Sequence, residues 1–142
     1  MHHGKLLKRI SHITKHSQYH MDDVLKVYDL SSGSYPFLLA LSDEEGINLE
    51  KISRKISVDK AMSTRTIQKL IGLGYLEKIS DLQDSRACKL FLTDKAKEVI
   101  PQIKKEVSLW IDNITLDLSQ EELKLLEDSL DKIMKRAEQK RL

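Results

Sequence analysis

Apolar side chains recur at steps of three and four through most of this chain, and the period shortens to two only between Tyr75 and Leu92. Near the N-terminus, Leu6, Ile10, Ile13, Ser17, Met21, Val24 and Tyr28 fall along one side of a predicted helix. Ser34 then stands where it can cap a short helix, with Pro36 in the first turn, where proline is tolerated, and Phe37, Leu38, Ala40 and Leu41 as packing residues. Asp43-Glu44-Glu45-Gly46 reads as the turn out of it. Asn48 is placed to cap a helix whose inner side is Leu49, Ile52 and Ile56, and Val58 reads as a buried turn residue. Asp59 is placed to cap the next helix, on which Ser63, Ile67 and Leu70 share a face with Thr66 and Leu73 beside it. Lys60, Ala61, Thr64, Arg65, Gln68 and Lys69 point elsewhere, and Gly74 can end the helix in a left-handed conformation.

Tyr75-Leu76-Glu77-Lys78-Ile79 alternates as a strand, Lys89-Leu90-Phe91-Leu92 does so more weakly, and Ser80 to Arg86 forms the polar tip between them. Helix, turn, helix and hairpin in that order describe a winged helix-turn-helix. Such a unit lays its second helix in the DNA major groove, and a basic wing tip reaches the adjacent minor groove. The candidate contacts are Lys60, Ala61, Met62, Thr64, Arg65 and Gln68 on the helix, and Asp84, Arg86 and Lys89 on the wing. After the wing, Thr93 caps a helix carrying Ala96, Val99 or Ile100, Ile103, Val107, Trp110 or Ile111, and Ile114, with Pro101 expected to kink it. Ser119 with Glu122 is a capping box, followed by the stripe Leu123, Leu126, Leu130, Ile133 and Ala137. The expected fold is mainly α with a small β-hairpin wing, the winged helix-turn-helix being flanked by N- and C-terminal helices whose apolar stripes call for a partner.

The run SVDKAMSTRTIQKLIGLGYLEK, the wing DLQDSRACKLFLT and the LTDKAKE that follows resemble the MarR family of winged-helix transcriptional regulators. A helix-turn-helix alone is shared by many families; its coupling to Asp-x-Arg and then Leu-Thr-Asp-Lys is far more specific. Ala96 stands where the family often has glycine, a mild departure at a helix start. The resemblance covers the whole chain and implies one module over 1–142. Residues 1–30 and 115–142 would be dimerisation helices, 34–95 the winged helix-turn-helix and 94–114 the connecting helix. It further implies a homodimer that binds double-stranded DNA at a palindromic operator, more often as a repressor, and is released by a small-molecule effector. Where such effectors bind in the family, between the dimer helices and the winged domain, this chain offers His16, Tyr19, Tyr35, Phe37 and Trp110, although aromatic core packing is the simpler account of them.

Composition narrows the picture. Net charge is only +2, but the segment from Asn48 to Leu92 holds nine Lys/Arg against five Asp/Glu, or +4, leaving −2 for the rest. Basic charge therefore collects where the motif expects DNA, as nonspecific phosphate attraction requires. No apolar run is long enough to cross a membrane, and MHHGKLLKRI is not followed by the apolar stretch of a signal peptide. The single cysteine, Cys88, excludes an internal disulfide and fits a reducing cytoplasm. It sits on a wing strand, so the first-helix cysteine switch of some relatives does not carry over. With no nucleophile elbow, phosphate-cradling glycine loop or paired-cysteine motif, neither an enzyme nor a cofactor is expected.

His12, His16 and His20 are spaced by four and stack along the first helix. Imidazoles at that spacing can share a metal, which makes a metal-responsive regulator one alternative; surface histidines beside a dimer stripe are the plainer reading. A winged-helix adapter that binds protein and not DNA is the other alternative.

Overall fold

The computed structural model describes residues 3–80, 83 and 88–140. Its elements are α1 (His3–Leu25), a single 3-10 turn (Lys26–Tyr28), α2 (Tyr35–Asp43), α3 (Leu49–Lys55), α4 (Lys60–Gly72), β1 (Leu76–Ser80), β2 (Cys88–Leu92), α5 (Asp94–Ile114) and α6 (Gln120–Lys140). The chain divides into two compact units, Met1–Val107 and Ser108–Leu142. No helix among the described residues is long and apolar enough to cross a membrane.

The first unit is built around one core. Met21 and Leu25 from the end of α1, Phe37, Leu38 and Leu41 from α2, Ile52 from α3, Ile67 and Leu70 from α4, and Ile100 and Ile103 from α5 are all buried in it. The earlier part of the α1 stripe is not covered: Leu6 is 42% exposed and Ile13 56%. The expected helix starts follow from short side-chain contacts. The Asn48 side chain accepts from the Lys51 amide at 2.8 Å, and Asp59 Oδ1 accepts from the Met62 amide at 2.8 Å. Each thereby satisfies a donor that the first helical turn leaves unpaired. Ser34 occupies the position before α2 but does not cap it. Its hydroxyl accepts from the Ser31 amide at 2.8 Å and donates back to the Ser31 carbonyl at 3.2 Å, closing the preceding turn instead. Val58, expected to be buried, is only half-buried, because the turn between α3 and α4 lies at the edge of the core.

The sheet is a two-stranded antiparallel hairpin in which Leu76 pairs with Leu92 and Ser80 with Cys88. Its base is widened by Ile47, which bridges to Leu90, and by the Leu92 amide donating to Glu45 Oε1 at 2.8 Å. The alternation expected of Tyr75 to Ile79 is not realised. Tyr75 precedes the strand, and only Leu76 of β1 is buried, Ile79 being 52% exposed. The core covers Leu90 and Leu92 of β2 but only the first residue of β1, so the alternation shows on the second strand and not on the first. Gly46, at φ 76°, is needed where β2 approaches, since a Cβ there would lie 3.3 Å from Phe91 Cζ.

In the second unit, the C-terminal part of α5 leads through a short turn to α6. The helix runs from Asp94 to Ile114 with Pro101 inside it. The capping box at the head of α6 is complete. The Glu122 amide donates to Ser119 Oγ and the Ser119 amide to Glu122 Oε1, both at 3.1 Å. No residue of α6 is buried, and Leu126, Leu130 and Ile133 stand 43%, 42% and 44% exposed.

One core group is anomalous. Ser63 is fully buried on the inner face of α4, and its hydroxyl has no hydrogen-bond partner. An unsatisfied buried hydroxyl costs about 1–3 kcal/mol. Ser63→Ala should therefore raise the unfolding free energy by about 1 kcal/mol in urea titration, and a clear loss of stability would show that the hydroxyl is paired after all.

Candidate nucleic-acid interface

Helix α4 divides cleanly into two sides. Ser63, Ile67 and Leu70 are buried, whereas Lys60, Ala61, Met62, Arg65, Gln68 and Lys69 are exposed. Thr64 lies half-buried between them, its hydroxyl donating to the Lys60 carbonyl at 2.9 Å. Lys60 and Arg65 form no ion pair among the described residues, so both cations stay available to an external anion. All six helical residues expected to contact DNA thus sit on one element, and only Thr64 is partly committed internally.

The C-terminal end of α4 is anchored by residues from two other parts of the unit. Gly74, at φ 84°, turns the chain just past the end of α4, and three of the last helical carbonyls are used: Lys69 by the Leu73 amide at 3.0 Å, Leu70 by Tyr75 at 2.9 Å, Ile71 by Gly74 at 3.0 Å. Lys95 Nζ donates to the Leu73 carbonyl at 2.6 Å and lies 4.5 Å from the centre of the Tyr75 ring. A cation is favoured there by the helix dipole. Thr93 Oγ1 donates to the Gly74 carbonyl at 2.6 Å and accepts from the Ala96 amide at 3.2 Å, so one hydroxyl closes the turn and caps α5. Tyr75 is 1% exposed and its hydroxyl donates to the Tyr28 carbonyl at 2.6 Å, tying this turn to the segment that follows α1. Burial pushes the Tyr75 phenol above its ordinary value, and Asp29 and Tyr28 act in the same sense.

On the hairpin, directly paired residues share a face. Lys78 pairs with Leu90, and Ile79 with Lys89. Leu90 is buried, so Lys78 lies on the face turned toward α4 and Lys89 on the other. A small open cleft between α4 and the hairpin is floored by Ile67, Ile71 and Leu90 and rimmed by Gln68, Lys78 and Cys88. Lys89 is among the expected contacts and Lys78 is not; the strand register puts the two cations on opposite faces of the hairpin. Asp84 and Arg86 lie outside the described residues.

The other candidate residues are dispersed. His16 and Tyr19 form an edge-on pair on exposed α1, ring centres 6.4 Å apart. Tyr35 is half-buried, with its phenol pushed up by burial, and Phe37 is in the core at 1% exposure. Trp110 belongs to the second unit. Among the described residues no three His, Cys, Asp or Glu side chains converge as a metal site, and the row His12, His16 and His20 is no exception. Cys88 is half-buried, with its sulfur 3.9 Å from Ser80 Oγ.

Comparison with known proteins gives a consistent result. A model of the MarR family matches residues 30–88. The HTH-type transcriptional regulator BilQ of Clostridioides difficile (strain CD3) is 37% identical over 121 residues, 85% of this chain and 82% of that protein. The solved MarR protein from Peptoclostridium difficile is 32% identical, with a TM-score of 0.92 over 95% of this chain and 88% of that one. A putative MarR family regulator from Listeria monocytogenes, solved with a 26mer DNA, shares the fold at a TM-score of 0.89 and 22% identity, covering 94% of this chain and 89% of that one.

The anchoring of α4 can be tested directly. Tyr75→Phe removes the donor to the Tyr28 carbonyl and should lower the unfolding free energy by about 1 kcal/mol. Lys95→Met removes the cation from the α4 terminus while keeping an apolar stem near the ring, and should cost about 0.5–1 kcal/mol. Urea titrations superimposable on wild type for both variants would show that neither contact holds the turn.

Proposed function

The chain belongs to the MarR family, and from that premise we propose that it is a DNA-binding repressor that grips a palindromic operator as a homodimer and lets go when a small molecule binds. The observation that carries the DNA-binding half is the two-sidedness of α4. Its apolar side is fully spent on the core, while Lys60, Arg65 and Gln68 remain exposed along the other. Helices presented in this way enter the major groove, and their cations meet phosphate or guanine. Arg86, two residues after Asp84 in the sequence between the strands, is assigned to the minor groove, with Lys89 supporting the wing on the backbone.

The dimer half is supported by unpartnered apolar surface. Leu126, Leu130 and Ile133 are exposed together on α6, and Leu6 and Ile13 on α1. Contiguous apolar faces of this kind mark interfaces. Residues 1–30 and 115–142 are assigned to the dimer, 34–95 to the reading head and 94–114 to the connection between them. Two copies about a two-fold axis place their reading helices on half-sites about 34–36 Å apart. The link between Tyr75 and Tyr28 supports effector release. A ligand that displaces the end of α1 moves a carbonyl to which the α4 terminus is tied.

Substitutions on α4 separate the two kinds of DNA contact. If Arg65 reads a guanine, Arg65→Ala should cost about 1–3 kcal/mol and relax preference at one base position per half-site. Lys60→Ala, at a phosphate, should weaken all sequences alike and flatten the salt slope by about one. Operator titrations at several salt concentrations check both, and unchanged binding in the two variants would refute this docking.

Leu130→Glu tests the dimer. A charge in a buried apolar contact cannot be solvated cheaply, so light scattering should report monomer at micromolar concentration. Operator affinity should also fall as the tethering of two half-sites is lost, although no DNA-contacting residue has changed. A wild-type chain that is already monomeric and still binds a palindromic operator tightly would overturn the arrangement.

A further inference from the structure

Charge on the end helices is segregated in a way that the apolar stripes do not explain. The first 21 residues contain Lys5, Lys8, Arg9 and Lys15 and no carboxylate. The first twelve residues of α6, 120–131, contain Glu121, Glu122, Glu127, Asp128 and Asp131 against the single Lys124. On α1, Lys5 and Arg9 are one turn apart along one flank of the Leu6, Ile10 and Ile13 stripe, while Ser11, Thr14 and Gln18 on the other flank are uncharged. On α6, Glu127 and Asp131 are one turn apart along one flank of the Leu126 and Leu130 stripe and Glu138 continues that flank, with Lys124 and Lys135 beside it on the side farther from the stripe. Lys5, Arg9, Glu127, Asp131 and Glu138 are all exposed. None belongs to the ion pairs formed among the described residues, which are Lys51 and Lys55 with Glu44, Arg54 with Glu50, and Lys124 with Asp128.

We propose that the occupant of each edge is the other edge in a second copy of this chain: the Lys5 and Arg9 flank of α1 docks along the Glu127 and Asp131 flank of α6 from the partner subunit. An apolar seam bordered by cations on one helix and by carboxylates on the other is the arrangement by which helical interfaces select partner and register. The apolar stripes supply the contact, and the charged edges decide which helices meet along it. Two like edges brought together would repel, so α1 against α1 and α6 against α6 are both disfavoured. The inference rests on the homodimer proposed above and adds the rule by which its helices are sorted.

The test is a charge swap in the full chain, read as the dimer dissociation constant by analytical ultracentrifugation across a salt series. Wild-type dimer should weaken as salt rises, because exposed pairs are screened. Lys5→Glu with Arg9→Glu should weaken the dimer on the order of tenfold or more, each reversal counting twice in a two-fold assembly. Glu127→Lys with Asp131→Lys should do the same, and the fourfold variant should recover most of the lost affinity. Rescue is the decisive outcome, since a merely destabilised helix would not be repaired by further substitutions elsewhere. Reversals that leave the constant unchanged, or four changes whose losses simply add, would overturn the pairing while leaving the homodimer in place. Reversals on α1 that spare the dimer but lower affinity for DNA of every sequence would assign that edge to nucleic acid and overturn it equally. A wild-type chain that is monomeric throughout would remove the homodimer itself.

Discussion

The position of the reading helix depends on one turn, Leu73-Gly74-Tyr75. A helix end leaves carbonyls without partners, and an unsatisfied end would fray and lose its direction. Here the carbonyls of Lys69, Leu70, Ile71, Leu73, Gly74 and Tyr75 all accept a hydrogen bond, partly from the turn itself and partly from Thr93 and Lys95. The Leu-Thr-Asp-Lys sequence is therefore more than the opening of α5. Its threonine closes the turn from α4 into β1 while starting the next helix, and its lysine supplies positive charge at the negative end of α4. That double duty gives a physical reason for the spacing that the resemblance to the MarR family rested on.

Much of this was legible in the chain because it is local. The caps at Asn48, Asp59 and Thr93 and the reciprocal box of Ser119 and Glu122 all join residues three apart. The inner face of α4, Ser63, Ile67 and Leu70, followed from helical spacing and is buried throughout. What escaped was decided by distant parts of the chain. Tyr75 read as the first residue of a strand, but its hydroxyl is held 47 residues away by Tyr28. Ser34 had the right type and place for a cap, yet its hydroxyl serves the turn behind it. The different faces of Lys78 and Lys89 depend on pairing between strands, which neither strand specifies alone. Phe37, read both as packing for α2 and as a ligand candidate, lies in the core.

The two units meet the cost of solvent exposure differently. In Met1–Val107 the apolar residues from five helices converge on one core, and the outward side of α4 is polar enough to remain in water. In Ser108–Leu142 nothing on α6 is buried, although its stripe is as regular as any in the chain. Burial of apolar surface contributes about 25 cal/mol per Å², and isolated helices of modest length are only marginally stable in water. A helix with so persistent a stripe gains most of its stability from a surface to pack on, and α6 keeps its apolar edge exposed where α4 exposes a polar one.

The modest net charge of +2 is no obstacle to binding a polyanion, because phosphate responds to local charge. Screening limits the reach of exposed charges to about 8 Å at physiological ionic strength. Carboxylates that lie beyond that distance from a bound polyanion subtract little from the attraction it feels. The +4 of the segment from Asn48 to Leu92 is then the relevant quantity. Carboxylates outside the Asn48 to Leu92 segment hold down total charge, and with it indiscriminate attraction of the whole surface to nucleic acid, while that segment keeps its own positive balance.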